Sequence, residues 1–186
     1  HHKVLNDLNY KIDYLRGPLP AKDLLPIIDK YDGVICGDDE YNEEVLKKGS
    51  KGKLKSLSKY GIGLDKIDLK AAQKLGIKIF NTPGVNNAAV AEHFFALLLT
   101  FEKNIIEENN IVQKNKWTRL IGHELVGKSI GIFGLGSVGK EVSKRAIAFG
   151  MNVFAFDKQE DKEFLKENNI KFFDTIDEIL PLLDYI

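Results

Sequence analysis

At residues 129–139 the chain reads SIGIFGLGSVG, an apolar run that leads into glycines with the spacing Gly-x-Gly-x-x-Gly. The apolar run predicts a buried strand, and the residues after the glycines predict a helix. Gly134 then permits a tight turn, Gly136 lets the backbone approach a pyrophosphate, and Gly139 lets the helix pack closely on the strand. The unpaired N–H groups of the helix N-terminus would face the phosphates, so Ser137 suffices there without a basic side chain. The stretch therefore predicts a dinucleotide-binding turn.

The next predicted strand supports this interpretation because it ends in an acidic residue. Residues 151–157 read MNVFAFD, and Asp157 follows the glycine turn by roughly 20 residues. A carboxylate there accepts hydrogen bonds from the adenosine ribose and repels a 2′-phosphate, which favours NAD over NADP, although Lys158 works against that preference. The alternative interpretation is a plain loop followed by a strand-end turn residue. The succession of strand, turn, helix, strand and acid disfavours it.

Composition and charge narrow the class of protein. Of the 186 residues 44% are hydrophobic, and 27 basic residues balance 27 acidic ones. We therefore expect an ordinary globular core and no net field that attracts nucleic acid or a membrane. Without a run of 18 apolar residues or a signal-like start, we expect a cytoplasmic protein. Four scattered histidines and the single Cys36 show no metal-ligand spacing, and Cys36 is expected to be a buried thiol.

Strand-like and helix-like stretches alternate in the first half of the chain, which predicts a parallel sheet with right-handed crossovers. The predicted strands lie at residues 11–14, 32–36, 54–57 and 77–80, and the predicted helices at 21–30, 42–48 and 69–75. Asn86 and Asn87 then offer an N-cap to a long helix at residues 88–109. Its apolar residues recur too densely for a one-sided surface helix. We expect it to be buried on most sides, between two domains or against a second subunit.

A second glycine-containing loop follows a predicted strand. Residues 59–65 read KYGIGLD, and the glycines free backbone N–H groups at the edge of the sheet. Such a loop is typical of a small anion nest, in which the amides of Ile62 and Gly63 bind a carboxylate without any side chain. The loop therefore predicts a site for a small anionic substrate.

A series of motifs in one order covers nearly the whole chain. They are the GxGxD loop from Gly61 to Asp65, the NTPG turn at 81–84, the VAEH helix start at 90–93, Trp117 before Gly127-Lys128, the glycine turn, and FGMNV at 149–153. Together they resemble the D-2-hydroxyacid dehydrogenase family, which includes phosphoglycerate dehydrogenases, glyoxylate and hydroxypyruvate reductases, and formate dehydrogenase.

The resemblance implies an α/β protein with two doubly wound parallel sheets. A flavodoxin-like substrate domain, with or without its N-terminal strand, would occupy residues 1–87. A Rossmann-type NAD-binding domain would occupy residues 88–186. Only the first half of the second domain is expected here, so we expect the chain to be a piece of a longer protein. The resemblance also implies hydride transfer between NAD and a small anionic D-2-hydroxy or 2-keto acid. The main substrate candidates are 3-phosphoglycerate, hydroxypyruvate and glyoxylate. A homodimer is implied, with neither nucleic acid nor membrane as a partner.

The resemblance also carries over binding residues. The substrate carboxylate would lie on the backbone of Ile62 and Gly63, with Asn81 nearby. Lys59 stands where phosphoglycerate-type members often have arginine, so it would contact a distal phosphate or carboxylate; a solvated surface lysine is the alternative. The implied cofactor residues are Thr82, Gly134, Gly136, Ser137, Val138, Gly139 and Asp157. Ser137 departs from the arginine that many members have, which weakens one pyrophosphate contact.

No catalytic residue is assigned within these residues. The arginine, histidine and carboxylate that the family uses are expected downstream, so residues 1–186 alone are expected to be inactive. Glu92 and His93 are adjacent on a helix and point about 100° apart, which excludes a dyad of the two, and His123 is expected to be structural. Two alternatives stay open: an NAD-sensing, corepressor-like member without turnover, and S-adenosylhomocysteine hydrolase-like chemistry, which the NTPG and VAEH motifs disfavour.

Overall fold

The computed structural model describes residues 2–7 and 10–186. The chain divides into two compact units, His1–Pro83 and Gly84–Ile186. Among the described residues, no helix has both the length and the apolar character needed to cross a membrane.

The first unit is built on a three-stranded parallel sheet in the order β1-β2-β3. Its strands are β1 (Gly33–Cys36), β2 (Ser56–Lys59) and β3 (Lys78–Phe80), and its helices are α1 (His2–Asp7), α2 (Ala21–Leu24), α3 (Glu43–Lys51) and α4 (Leu69–Lys74). Both crossover helices begin at side-chain caps, since Asn42 accepts the Val45 N–H and Asp68 accepts the Ala71 N–H. The crossovers bring the carboxyl ends of the three strands to one edge of the sheet.

The second unit has a parallel sheet in the order β4-β5-β6. Its strands are β4 (Ser129–Phe133), β5 (Asn152–Phe156) and β6 (Lys171–Phe172), and its helices are α5 (Asn87–Glu102), α6 (Ile105–Gln113), α7 (Ser137–Ala148), α8 (Lys162–Glu167) and α9 (Ile176–Ile179). After α9, Tyr185 pairs in parallel with Ile130, on the edge of β4 away from β5. The strand order therefore reverses beside β4, which is where open α/β sheets bind their ligands.

Each unit has a hydrophobic core of its own. Fully buried residues of the first core include Ile28, Tyr41, Val45, Leu46 and Leu57, and those of the second include Ala91, Ile130, Ala146 and Ala155. In the second unit α7 follows β4 directly and packs on both β4 and β5. The turn between β4 and α7 is therefore held by the strand before it and by the packed helix after it.

Two predictions in the first unit are wrong. Residues 11–14 form no strand, because this mostly exposed segment pairs with none of the described strands. The helix predicted at 21–30 ends at Leu24 and is followed by turns and a short 3₁₀ helix, Ile28–Lys30. Pro26 explains this break, since proline has no N–H to continue the helical hydrogen bonds.

The long helix predicted at 88–109 is two helices, α5 and α6. Asn104 adopts a left-handed backbone conformation (φ 54°) between them, which asparagine tolerates better than most residues. Within the chain, α5 is buried along one side only: Ala91, Phe95 and Glu102 are buried, whereas Leu97 and Phe101 are 60% and 77% exposed. The expectation that the helix is covered on most sides is therefore not met by this chain alone.

Candidate cofactor and substrate sites

The turn after β4 has the conformation that a dinucleotide requires. Gly134 has a φ of 105°, which disfavours any residue with a side chain, and its N–H donates to the Phe156 carbonyl oxygen at the end of β5 (2.8 Å). Gly136 is the N-cap of α7, and a Cβ added there would meet no heavy atom within 4 Å. The turn is thus tied to the sheet while its backbone stays open to a ligand.

The third glycine permits close packing of α7 on the turn. A Cβ added at Gly139 would lie 2.1 Å from the Gly134 carbonyl oxygen and 3.2 Å from a methyl carbon of Ile132. The N–H of Lys140 makes the first helical bond, to Gly136 O (2.9 Å). The preceding N–H groups, those of Ser137, Val138 and Gly139, have no partner within the helix. They form a positively polarised end that suits a pyrophosphate.

Asp157 follows β5 and is hydrogen-bonded to the same turn. Its Oδ2 accepts the Leu135 N–H at 2.5 Å, and its Oδ1 accepts the Gln159 N–H at 3.3 Å. The Leu135 bond, and then the Gln159 bond, hold the pKa of the Asp157 carboxyl below its usual range. The group is therefore charged at neutral pH, and it keeps acceptor capacity for further hydroxyl donors.

An open cavity of about 500 Å³ lies against this carboxylate and the turn. Its lining residues are Leu135, Gly136, Lys140, Asp157, Gln159, Glu160, Asp161 and Lys162. A second cavity, of about 390 Å³, meets the turn at Gly134, Val138 and Gly139 and is otherwise mainly apolar, with Phe94, Ile132, Phe133 and Val142 among its walls. The two cavities therefore share the turn as a wall and differ in polarity.

Sequence reasoning missed an ion pair in the larger cavity. Lys140 Nζ binds the Asp161 carboxylate and lies 5.2 Å from the centre of the Phe164 ring. Asp161 also caps α8, since its Oδ1 accepts the Phe164 N–H at 3.1 Å. The cap could have been found in the sequence, because an Asp three residues before Phe164 has N-cap spacing. Its pairing with Lys140 depends on the fold.

In the first unit, the end of β3 holds the loop after β2 in place. The Thr82 hydroxyl accepts the Gly61 N–H (3.2 Å) and donates to the Gly61 carbonyl oxygen (3.0 Å), and Asn81 Nδ2 donates to the Ile62 carbonyl oxygen (2.9 Å). Within residues 2–7 and 10–186, the N–H groups of Ile62 and Gly63 donate to no acceptor. The loop therefore presents two free, exposed donors to a small anion.

Lys59 lies next to this loop. Sequence analysis left two alternatives for it, a contact with a distal anion of the substrate and a solvated surface lysine. The residue is 7% exposed, so a solvated surface lysine is wrong. Its Nζ donates to the Gly37 carbonyl oxygen (2.6 Å) and to Asp38 Oδ1 (2.5 Å). The contact of Lys59 with a substrate anion stays a prediction.

The histidines and the cysteine to which sequence analysis gave no catalytic role lie outside the turn and the substrate loop. Glu92 lies 3.5 Å from Arg145 on α7, and His93 is exposed. His123 Nδ1 lies 3.2 Å from Oε2 of the buried Glu102, and its backbone N–H donates to the Glu102 carbonyl oxygen. Cys36 is buried, which raises the pKa of its thiol. No three His, Cys, Asp or Glu side chains in the described part of the chain converge as metal ligands would.

Comparisons with known proteins agree with this geometry. The family model for the D-isomer specific 2-hydroxyacid dehydrogenase catalytic domain matches residues 2–149. A D-3-phosphoglycerate dehydrogenase of Archaeoglobus fulgidus is 36% identical over 171 residues, which are 90% of this chain and 32% of the relative. A hydroxypyruvate reductase of Thermotoga maritima is 37% identical over 142 residues, which are 75% of this chain and 46% of the relative.

A solved structure extends the comparison to the fold. The D-lactate dehydrogenase of Aquifex aeolicus, described in complex with NAD and lactic acid, matches with a TM-score of 0.78 and 29% identity, over 98% of this chain and 54% of its own. The chain thus spans between a third and about half of the length of these three proteins. The predicted fold class, flavodoxin-like plus Rossmann-type, is confirmed, as is the predicted family resemblance.

Proposed function

Because the chain belongs to the D-isomer specific 2-hydroxyacid dehydrogenase family, we propose that the protein transfers a hydride between NAD and a D-2-hydroxy acid or its 2-keto counterpart. The observation that carries the proposal is the glycine turn with Asp157 bound to it. The turn and the carboxylate recur together where a dinucleotide binds by its pyrophosphate and its adenosine ribose. The named relatives act on acids of this class.

The residues of the second unit fit the cofactor part by part. The N–H groups of Ser137, Val138 and Gly139 would bind the pyrophosphate, and Asp157 would accept the ribose hydroxyls. Thr82 belongs to the first unit; its hydroxyl keeps one acceptor lone pair beyond its two bonds to Gly61, and we propose it as a further cofactor contact. When bound, the nicotinamide supplies the hydride chemistry, and the chain contributes binding and orientation.

The first unit would hold the substrate. The free N–H groups of Ile62 and Gly63 would bind its carboxylate, as two donors suit two carboxylate oxygens. Asn81 holds Ile62 by its carbonyl oxygen and so fixes the peptide plane that presents the Gly63 N–H. Glyoxylate, hydroxypyruvate and 3-phosphoglycerate with its keto form are the proposed substrate candidates.

We also propose a homodimer in which α5 contributes to the interface. Its exposed apolar side chains include Val90, Leu97 and Phe101, and Ile105 and Ile106 continue the apolar surface at the start of α6. Contiguous apolar surface of this kind is typical of protein interfaces. Sedimentation equilibrium of the full-length protein tests this directly.

The test of the proposed activity is NADH oxidation by the full-length protein, followed by absorbance, with a panel of 2-keto acids. The panel runs from glyoxylate through hydroxypyruvate to phosphohydroxypyruvate. We expect turnover with at least one of them, and the highest kcat/KM identifies the substrate. Tight NADH binding without turnover of any keto acid would contradict the proposal and indicate a sensing protein.

A further inference from the structure

We infer that the ion pair of Lys59 and Asp38 is a specificity determinant that makes the site select short 2-keto acids over those with a second anionic group, such as a phosphate. The inference rests on the proposed function and deepens it. It reverses the role that the sequence pattern gave to Lys59, from a contact for a distal anion to the partner that holds the Asp38 carboxylate.

The amine of Lys59 is already bound within the chain. Nζ lies 2.6 Å from the Gly37 carbonyl oxygen and 2.5 Å from Asp38 Oδ1, and the side chain is 8% exposed. A substrate phosphate could recruit this amine only by taking it from both acceptors, one of them charged. Hydrogen bonds to charged groups are among the stronger ones in proteins, so this exchange is unfavourable.

The exposed member of the ion pair is its carboxylate. The side chain of Asp38 is 80% exposed, whereas that of Lys59 is not. The hydrogen bond from Lys59, and to a smaller extent the charge of Lys66, hold the pKa of the Asp38 carboxyl below its usual range, so it is ionised at neutral pH. Asp39 adds a second carboxylate, buried and bonded to the N–H groups of Leu19 and Gly37. A second substrate anion that reaches this ion pair would therefore meet its carboxylate and not its cation.

The pair lies close enough to the substrate loop to act on it. Lys59 is the last residue of β2, and its Cε is 3.7 Å from where a Cβ of Gly61 would lie. A carboxylate on the Ile62 and Gly63 amides would therefore be held three to four residues along the chain from Lys59. At physiological ionic strength the screening of charges is incomplete over about 8 Å, and the inference requires that a further anion on the same substrate comes within that range of the Asp38 carboxylate.

The test compares two substrates of the full-length protein and three variants. The readout is the ratio of kcat/KM for phosphohydroxypyruvate to kcat/KM for glyoxylate, with NADH as cofactor. Asp38→Asn removes the charge with the same shape. Asp32→Asn is the matched control, because Asp32 is also exposed but precedes β1 at the opposite end of the strand. Lys59→Met removes the cation and keeps most of the side-chain volume.

We expect the wild-type protein to prefer glyoxylate or hydroxypyruvate to phosphohydroxypyruvate. Asp38→Asn should raise the ratio by about tenfold, since it removes the repulsion and leaves the Lys59 charge unmatched, and Asp32→Asn should change it by less than about twofold. Lys59→Met should lower kcat/KM for phosphohydroxypyruvate more than that for glyoxylate, because it leaves the Asp38 carboxylate without its counter-charge.

Other results would overturn the inference. A wild-type preference for phosphohydroxypyruvate that Lys59→Met selectively abolishes would show that Lys59 binds the distal anion directly. Equal effects of Asp38→Asn and Asp32→Asn would show that the pair has no special role. These two results leave the dehydrogenase itself intact, whereas wild-type protein that turns over no keto acid would overturn the proposed function and the inference together.

Discussion

Two glycines of the cofactor turn differ in what an added methyl group would meet. At Gly139 the added Cβ would lie 2.1 Å from the Gly134 carbonyl oxygen, which is backbone and cannot rotate away, whereas at Gly136 the space is open. Gly139 is therefore required by the fold itself, whereas Gly136 is required only by a ligand that approaches the backbone.

We predict that Gly139→Ala lowers the melting temperature by about 3–10 °C, the range expected when overpacking costs about 1–3 kcal/mol. It should also weaken NADH binding at least about tenfold. Gly136→Ala should melt within about 2 °C of wild type and still lose NADH affinity. Thermal unfolding and NADH fluorescence titration measure both. A Gly139→Ala protein with unchanged melting temperature would contradict the packing argument.

We propose that the choice between NADH and NADPH depends on Asp157. Asp157→Asn keeps an oxygen that can accept the Leu135 N–H but removes the negative charge and one ribose acceptor. We predict that the affinity for NADH falls about tenfold, the scale of one charged hydrogen bond, while the affinity for NADPH falls less or rises. Asp174→Asn, an exposed acid after β6, is the control. An equal loss of both cofactors would argue against a ribose contact at Asp157.

At the scale of the element, α5 is a helix whose apolar surface exceeds what its own unit covers. Leu97 is 60% exposed on α5, and Ile35 on β1 is 61% exposed, so the two positions match in exposure. If the protein is the proposed dimer, Leu97→Asp should convert it to a monomer, because a buried carboxylate without a partner is costly in an interface, and Ile35→Asp should leave it dimeric. Sedimentation equilibrium distinguishes the two. A Leu97→Asp dimer of unchanged affinity would exclude this side of α5 from the interface.

The elements around the glycine turn could be predicted from the sequence, and some others could not. The β4, α7 and β5 segments carry long apolar runs and glycines at fixed spacing, and these signals are local. The break at Asn104 depends on a contact with a distant loop, in which Asn104 Nδ2 donates to the Ile121 carbonyl oxygen. Nothing in the sequence near residue 104 indicates that bond, so the interpretation as one long helix was wrong.

In the candidate sites, too, some features could be predicted from the sequence and others could not. The turn and Asp157 are recognisable because each ends a predicted strand. The ion pairs of Lys59 with Asp38 and of Lys140 with Asp161 each join residues 21 positions apart. Such pairing depends on how neighbouring parallel segments align, which a residue pattern does not specify. The sequence therefore predicted the turn and the position of Asp157 at the end of its strand, and missed how the charges beside them are matched.

At the scale of the whole molecule, the last residues are bound to the sheet of the second unit. Asp184 Oδ2 accepts the Ser129 N–H at 2.8 Å, and Oδ1 accepts Lys128 Nζ at 2.9 Å. The Ser129 bond, and then Lys128, hold the pKa of the Asp184 carboxyl below its usual range. A carboxyl whose pKa is lower in the folded state stabilises the fold above its unfolded pKa of about 3.9, and that contribution is lost as the pH falls through the folded pKa.

We therefore predict that the free energy of unfolding decreases as the pH is lowered from about 5 to 3, through the range in which acidic groups bind protons. Asp184→Asn should make this decrease smaller while lowering the stability at neutral pH. Urea unfolding at a series of pH values measures both effects. An unchanged slope in Asp184→Asn would show that other carboxylates dominate the acid response.

The central claim, a D-specific dehydrogenase that uses NAD, is tested most directly by the stereochemistry of the reverse reaction. The full-length protein is given NAD and either D-glycerate or L-glycerate, and the formation of NADH is followed by absorbance. We predict NADH formation from the D enantiomer and none above background from the L enantiomer. NADH formation from the L enantiomer would contradict the account.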